Sequence, residues 1–388
     1  MDTSFTNSLK YFILTLLLIT VGCNKDEEAI DSNDCKALAP EVDYSRPSYF
    51  NSSRLFHYGY PLDQPWGWPM DIAIIDYNRD GLLDAITSNS DYTASFNNPE
   101  QNRREILFYK SDCDGYLTLD TSMNSEGWLG LVHARKSLVA DFNNDSFPDV
   151  AFIGHGTDND FAQINGEYPI LLMSNPSGYD YVTYPDIVGG WHGGTAGDLD
   201  NDGDLDIYLP PSTLMVNNNG QFSKANLPFT VEDQSGASEI LDIDGDGTLE
   251  IVYGSSDFSS WNDSWIGNMN GKIATFPVPD NYGIVVDLDF IDLDNDGVKE
   301  IVVNRVGDPA GTVGNYTGWF IQILKFVNSE LIDITDTSIE QNSSAFNEWI
   351  EWFNVSDLDN NGTLDLYSNT DYIDVRWELI DGFLYRTK

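Results

Sequence analysis

The chain has 388 residues, 63 of them acidic and 19 basic, giving a formal net charge of −44. Such a surface repels phosphates, which excludes nucleic-acid binding and a polybasic grip on anionic membranes, because both depend on Lys and Arg meeting negative charge. With 41% hydrophobic and 13% aromatic residues the chain is too apolar for a solvated acidic tail. So many carboxylates on an apolar chain suggest that acids are grouped around a metal.

Tyr11 to Val21 form an apolar run behind Lys10. The run is too short to cross a bilayer as a helix and suits the core of an export signal. Gly22-Cys23 follows and resembles a bacterial lipoprotein cleavage site, with Thr20 where Leu is commoner. Asn24-Lys25-Asp26-Glu27-Glu28 resembles the surface-export signal of Bacteroidetes lipoproteins. The resemblance implies a signal peptide over residues 1–22, lipidation of Cys23 and an acidic tether over 23–45. It implies a monomer that meets the membrane through its lipid anchor only, in the outer membrane or at the surface of a Gram-negative cell. A plain secretory peptide with an unmodified Cys23 is the alternative reading. Cys35 and Cys113 either pair, pinning the tether to the first repeat, or stay as two thiols. Three cysteines make no disulfide scaffold, so the body over 46–388 has to rest on a hydrophobic core.

One nine-residue motif then recurs six times. Its acidic and amide positions are Asp76, Asn78, Asp80 and Asp84; Asp141, Asn143, Asp145 and Asp149; Asp198, Asp200, Asp202 and Asp206; Asp242, Asp244, Asp246 and Glu250; Asp292, Asp294, Asp296 and Glu300; and Asp357, Asp359, Asn361 and Asp365. Oxygens at positions 1, 3 and 5 converge on one point if the chain turns sharply, and Gly at position 6 permits that turn. A carbonyl at position 7 and a carboxylate at position 9 complete an oxygen cage suited to calcium, which takes six to eight oxygen ligands. Up to six calcium ions are expected. Magnesium prefers a rigid octahedron and its own waters, and zinc would call for Cys or His. An EF-hand needs Glu at position 12, where this chain has Thr87, Phe152, Leu209, Tyr253, Val303 and Ser368.

Each motif runs into a short β-branched or aromatic segment, such as Val150-Ala-Phe-Ile or Ile301-Val-Val, which reads as a strand. Later in each unit a strand, an Asn/Asp/Gly turn and another strand follow, as around Gly220 and Gly382. Four strands per unit, repeated, predict an all-β propeller of four-stranded blades, six favoured and seven possible. Residues 46–70 would add a strand to the last blade or belong to a degenerate one. The repeat resembles the FG-GAP/VCBS family, known from the calcium-binding blades of integrin α subunits, over roughly residues 70–388. Ser146 replaces Gly in the second copy, which puts the turn geometry there in question. The stretch from His133 to His155-Gly156 resembles a variant of bacterial VCBS proteins.

In an up-and-down blade the acid loops share one face and the longer connectors gather on the other. That second face is expected to hold Trp66, Trp68, His133, Arg135, His155, Trp191, His192, Trp261, Trp265 and Tyr316. Aromatic rings beside polar groups suit a glycan or protein ligand. Three functions follow from the sequence: a calcium-stabilised binding or adhesion module, a glycan-capturing lipoprotein, or a polysaccharide lyase or hydrolase. There is no nucleophile elbow, His-Glu-x-x-His, Walker loop or dinucleotide fingerprint, so binding is favoured over catalysis. The enzyme reading requires His133, His155 and His192 to converge.

Overall fold

The computed structural model describes residues 68–90, 103–111, 117–123, 127–159, 163–231, 236–256, 264–279, 283–307, 318–344, 349–350, 353–357, 363–369 and 373–388. The expected signal peptide, Cys23, the tether, Cys35 and Cys113 lie outside them. Among the described residues no helix is long and apolar enough to cross a membrane.

Among the described residues six antiparallel sheets of four or five strands follow one another along the chain, with a separate two-stranded hairpin inserted in the second unit. The first joins β1 (Trp68–Ile75), β2 (Asp84–Ser90), β3 (Leu107–Ser111) and β4 (Leu117–Leu119). The second contains β5 (Ala134–Ala140) and β6 (Asp149–Gly154), then an inserted hairpin of β7 (Thr157–Asn159) and β8 (Gln163–Asn165), then β9 (Ile170–Asn175) and β10 (Gly178–Thr183). The third is β11 (Thr195–Gly197), β12 (Asp206–Leu209), β13 (Thr213–Val216) and β14 (Ser223–Asn226). The fourth is β15 (Gly236–Leu241), β16 (Glu250–Ser255), β17 (Trp265–Asn268) and β18 (Gly271–Thr275). The fifth is β19 (Ile284–Ile291), β20 (Glu300–Val306), β21 (Trp319–Val327) and β22 (Glu330–Asp333), with β23 (Ser343–Ser344) added beside β21. The sixth is β24 (Asn354–Ser356), β25 (Asp365–Asn369), β26 (Asp374–Ile380) and β27 (Phe383–Arg386). Trp68 to Met70 belong to the first strand of the first sheet, and residues 46–67 lie outside the described residues.

The second strands β2, β6, β12, β16 and β20 are buried along their whole length because both of their faces are covered. In β6, Val150 and Phe152 point into the core shared with the first sheet, while Ala151 and Ile153 point into the core shared with the third. Further cores join sheets three and four, four and five, and five and six. Trp265, Trp319 and Trp377 are fully buried; an aromatic of this kind removes about 150–250 Å² from water, worth roughly 4–6 kcal/mol.

The leading strands β1, β5, β11, β15, β19 and β24 lie innermost. β1 packs on β5, β11 on β15, and β19 on both β15 and β24. Lys136 Nζ of β5 reaches Glu239 Oε1 of β15 at 2.8 Å, spanning from the second sheet to the fourth. Sheets arranged around an axis in this way form a β-propeller, and six blades match the expectation.

Candidate functional site

The acid loops connect first and second strands at one end of the sheets, as expected. Their fold comes from their own carboxylates. The position 1 acid accepts from the amides of positions 5 and 6: Asp80 and Gly81 donate to Asp76 at 3.1 and 2.9 Å, and Asp202 and Gly203 donate to Asp198 at 3.0 and 3.1 Å. The position 5 acid accepts from the amide of position 7, as Thr248 N does to Asp246 at 2.7 Å. The position 9 acid is buried and ties the loop to the third strand: Asp149 accepts from Phe142 N at 2.7 Å and Ser174 N at 2.6 Å.

Position 6 is left-handed throughout the described loops, at φ 89° for Gly81 and φ 97° for Gly203. Ser146 adopts the same geometry at φ 71°, so the second loop keeps its turn. Position 4 is also left-handed, in Arg79, Asn144, Asn201, Gly245 and Asn295. In the first two loops its side chain leans on the following loop. The Arg79 guanidinium lies 3.2 Å from the Phe147 ring centroid, and Asn144 Nδ2 donates to Asp204 at 2.5 Å.

Carboxylate oxygens of Asp198, Asp200 and Asp202 lie within 4.8 Å of one another, as do those of Asp242, Asp244 and Asp246 and those of Asp292, Asp294 and Glu300. Oxygens bound to one calcium at about 2.3–2.6 Å are separated by no more than about 5 Å, so the donor sets fit a hard cation. Burial pushes the position 9 acids up, Asp84, Asp149 and Glu250 to about 7 and Asp206 to about 6. Asp200 is raised by burial and by the charge of Asp202. In the first two loops an amide stands at position 3, and its oxygen accepts the amide of position 5, Asn78 from Asp80 and Asn143 from Asp145.

The fifth and sixth sheets differ. Lys325 pairs with Asp294, Asp296 and Glu300. Arg376 grips both oxygens of Asp365, at 3.0 and 2.9 Å. Of the remaining sixth-loop ligands, Asp357 is described and Asp359 and Asn361 lie outside the described residues.

At the opposite end, His133 precedes β5, His155 follows β6 and His192 precedes β11, and the three come together. The rings of His133 and His155 meet edge to face at 4.2 Å between centroids, and those of His155 and His192 lie 4.8 Å apart. His133 and His155 are buried, whereas His192 is half-exposed, so the cluster runs from the interior toward solvent. Arg135 is the extra residue of a bulge in β5, where pairing shifts between Ala134 and Lys136. Bulges bend a strand and re-aim its side chains. Equivalent bulges sit at Pro69/Asp71 and Val285/Asp287. Burial and the charge of Arg135 depress His155 to about 3, and the same causes hold His133 well below the usual histidine range. Both imidazoles are neutral near pH 7.

Behind the histidines lies Glu167, which the sequence did not single out. Its carboxylate accepts from Val132 N at 2.8 Å, His133 N at 3.0 Å and Gly156 N at 3.1 Å, and it pairs with buried Arg103 at 3.3 Å. Glycine is required at 154, where a Cβ would stand 2.5 Å from Glu167 Oε1 and 2.6 Å from His133 O. One carboxylate thus fixes the strand entry bearing His133 and the turn bearing His155.

Two of the expected ligand-face residues are corrected. Trp191 is 3% exposed and packs in the core between the second and third sheets. Trp265 is 0% exposed, between the third and fourth sheets beside Tyr253 and Phe229. Both are drawn inward because wedge-shaped gaps between radiating sheets take the largest apolar rings, and neither presents a face for stacking. Trp66, Trp261 and Tyr316 lie outside the described residues, as does the side chain of Trp68.

Fold and loops together define a β-propeller whose first turns carry acidic repeats. Residues 242–303, from the fourth loop through most of β20, match the family model described as FG-GAP-like repeat. No curated protein matches the chain significantly. Among solved structures, the chain is similar to rhamnogalacturonan lyase YesW (TM-score 0.43, 12% identity, 82% of this chain and 62% of that one). It is also similar to the exotype rhamnogalacturonan lyase YesX (0.42, 14%, 84% and 68%) and to the Dos1 propeller (0.41, 9%, 77% and 75%). The chain thus spans less than two thirds of the length of YesW.

Proposed function

We propose that this protein is a calcium-stabilised extracellular propeller, held at the outer membrane or cell surface through lipidated Cys23, that binds a glycan or protein ligand on the face opposite the acid loops. One observation carries the reading: His133, His155 and His192 converge beside Arg135 on a backbone frame locked by Glu167. Arg135 brings a full positive charge to the connector face of a chain whose net charge is −44, and imidazoles offer hydrogen bonds to hydroxyls or carboxylates. A ligand bearing carboxylates, such as a uronic-acid glycan, suits that chemistry. Calcium in the acid loops fixes the far ends of the sheets; extracellular calcium modules work at roughly 0.1–1 mM. A glycan array probed in calcium tests the reading. Binding to acidic glycans that Arg135→Ala abolishes is the expected result, and binding unaffected by Arg135→Ala refutes it.

The convergence of the three histidines also favours a second reading, a polysaccharide lyase or hydrolase acting at the same face. Neutral imidazoles held next to a guanidinium provide a base and a charge-neutralising group. New carbon–carbon double bonds, read by ultraviolet absorbance on uronic-acid polymers, would support a lyase.

A further inference from the structure

The six loops are not equivalent as cation sites. We propose that the ammonium of Lys325 serves as the built-in cation of the fifth loop, so that this blade is held without calcium. The inference rests on reading the third and fourth loops as calcium sites.

The pairing of β20 with β21 sets Ile301 opposite Leu324 and therefore Glu300 opposite Lys325. From there Nζ reaches Glu300 Oε1 at 2.7 Å, Asp294 Oδ2 at 2.9 Å and Asp296 Oδ2 at 3.0 Å. These are positions 9, 3 and 5 of the motif, three of the groups that would surround an ion. An ammonium carries three N–H donors, and here each has its own carboxylate. Asp292 accepts from the amides of Asp296 and Gly297 at 3.1 and 3.0 Å, as Asp198 does from Asp202 and Gly203, so Lys325 is what sets this loop apart. A divalent ion entering the loop would have to expel the ammonium and break three charge-assisted bonds.

The other sheets show the contrast. The residues in register with Lys325 are Met173, Val216 and Asn268 in the second, third and fourth sheets, none of them charged. Lys110 of the first is exposed and acts on Asp120 instead. Among the described residues no Lys or Arg pairs with Asp198, Asp200 and Asp202 or with Asp242, Asp244 and Asp246, the two triads that remain available to a metal.

The test counts calcium ions bound per full-length chain, by native mass spectrometry and by metal analysis after dialysis. Lys325→Met keeps the aliphatic stem and removes the charge, and it should bind one ion more than the parent. In the parent background Asp296→Asn should leave the count unchanged, while Asp246→Asn should lower it by one. A parent and K325M with equal counts, or a loss of one ion on D296N, overturns the proposal. The D296N and D246N pair decides the matter even if K325M does not fold. A D246N count equal to the parent's refutes the calcium reading of the fourth loop instead, and an extra ion in K325M would still uphold the role of Lys325.

Discussion

Glu167 and Arg103 form a buried ion pair, 3.3 Å apart with side chains 4% and 3% exposed. Arg103 bridges to Ser90 at the end of β2, and Glu167 precedes β9, so the pair fastens the first blade to the second. Breaking a buried pair leaves an uncompensated charge, at a cost of about 3–5 kcal/mol. Glu167→Ala is expected to lower unfolding free energy by that amount in urea titrations. Glu167→Gln keeps one carbonyl oxygen, which can accept from the amides of His133 and Gly156 or from that of Val132 but not from both sets, and should lose less than Glu167→Ala. Both variants should weaken ligand binding at the histidine cluster.

Acid should act through the histidines. An unfolded His titrates near 6.5, whereas folded His155 titrates at about 3 and His133 is also depressed. Between those values the unfolded state holds more protons, so this contribution to stability is full above about pH 6.5 and is lost as pH falls toward 3. Melting curves of the parent and of a His133→Gln/His155→Gln variant should therefore converge as pH drops from 7 to 4. Parallel profiles would remove the histidines from the acid response.

Chelation tests the acid loops as structural cation sites. A ligand at ten times its dissociation constant contributes about 1.4 kcal/mol per site. Excess EGTA should lower the melting temperature by several degrees, and calcium in excess should restore it. An unchanged melting curve would leave the loops without a structural ion.

Position 6 offers a backbone test free of packing. A Cβ on Gly247 would meet nothing within 4 Å, yet its φ is +89°. Gly247→Ala should cost about 1–2 kcal/mol from left-handed strain alone. The second loop already bears that strain at Ser146, φ 71°. Ser146→Gly should stabilise the protein by up to about 1 kcal/mol in thermal or urea unfolding.

The sheets and their order were legible because the motif and the strand after it are local signals. Asp149 followed by Val150-Ala-Phe-Ile carries both the turn and a strand covered on two faces. The left-handed position 4 was legible in principle, since Asn and Gly dominate it, but Arg79 hides the pattern. The role of Lys325 is not legible in sequence because it lies 25 residues beyond Glu300 and meets it only through strand register. Glu167 and Arg103 sit in connectors without periodicity, and nothing in their neighbours marks them as partners. Their place beside connectors in the sequence points Trp191 and Trp265 toward a ligand face. Burial of a large ring depends on the gap it fills, which composition does not reveal. The convergence of three histidines likewise depends on how the second and third blades sit side by side.

Each of the six sheets is drawn from one unbroken stretch of chain, and the β7–β8 insertion in the second leaves that order intact. Among the described residues each strand pairs within its own stretch of chain, so ladder formation closes only short chain loops, where the entropic cost is smallest. During synthesis a sheet can complete its hydrogen bonds soon after its fourth strand emerges, while its newest apolar face stays bare until the following sheet arrives. Assembly of this kind proceeds by accretion in the direction of translation, and its most vulnerable moment is the interval between one wedge and the next.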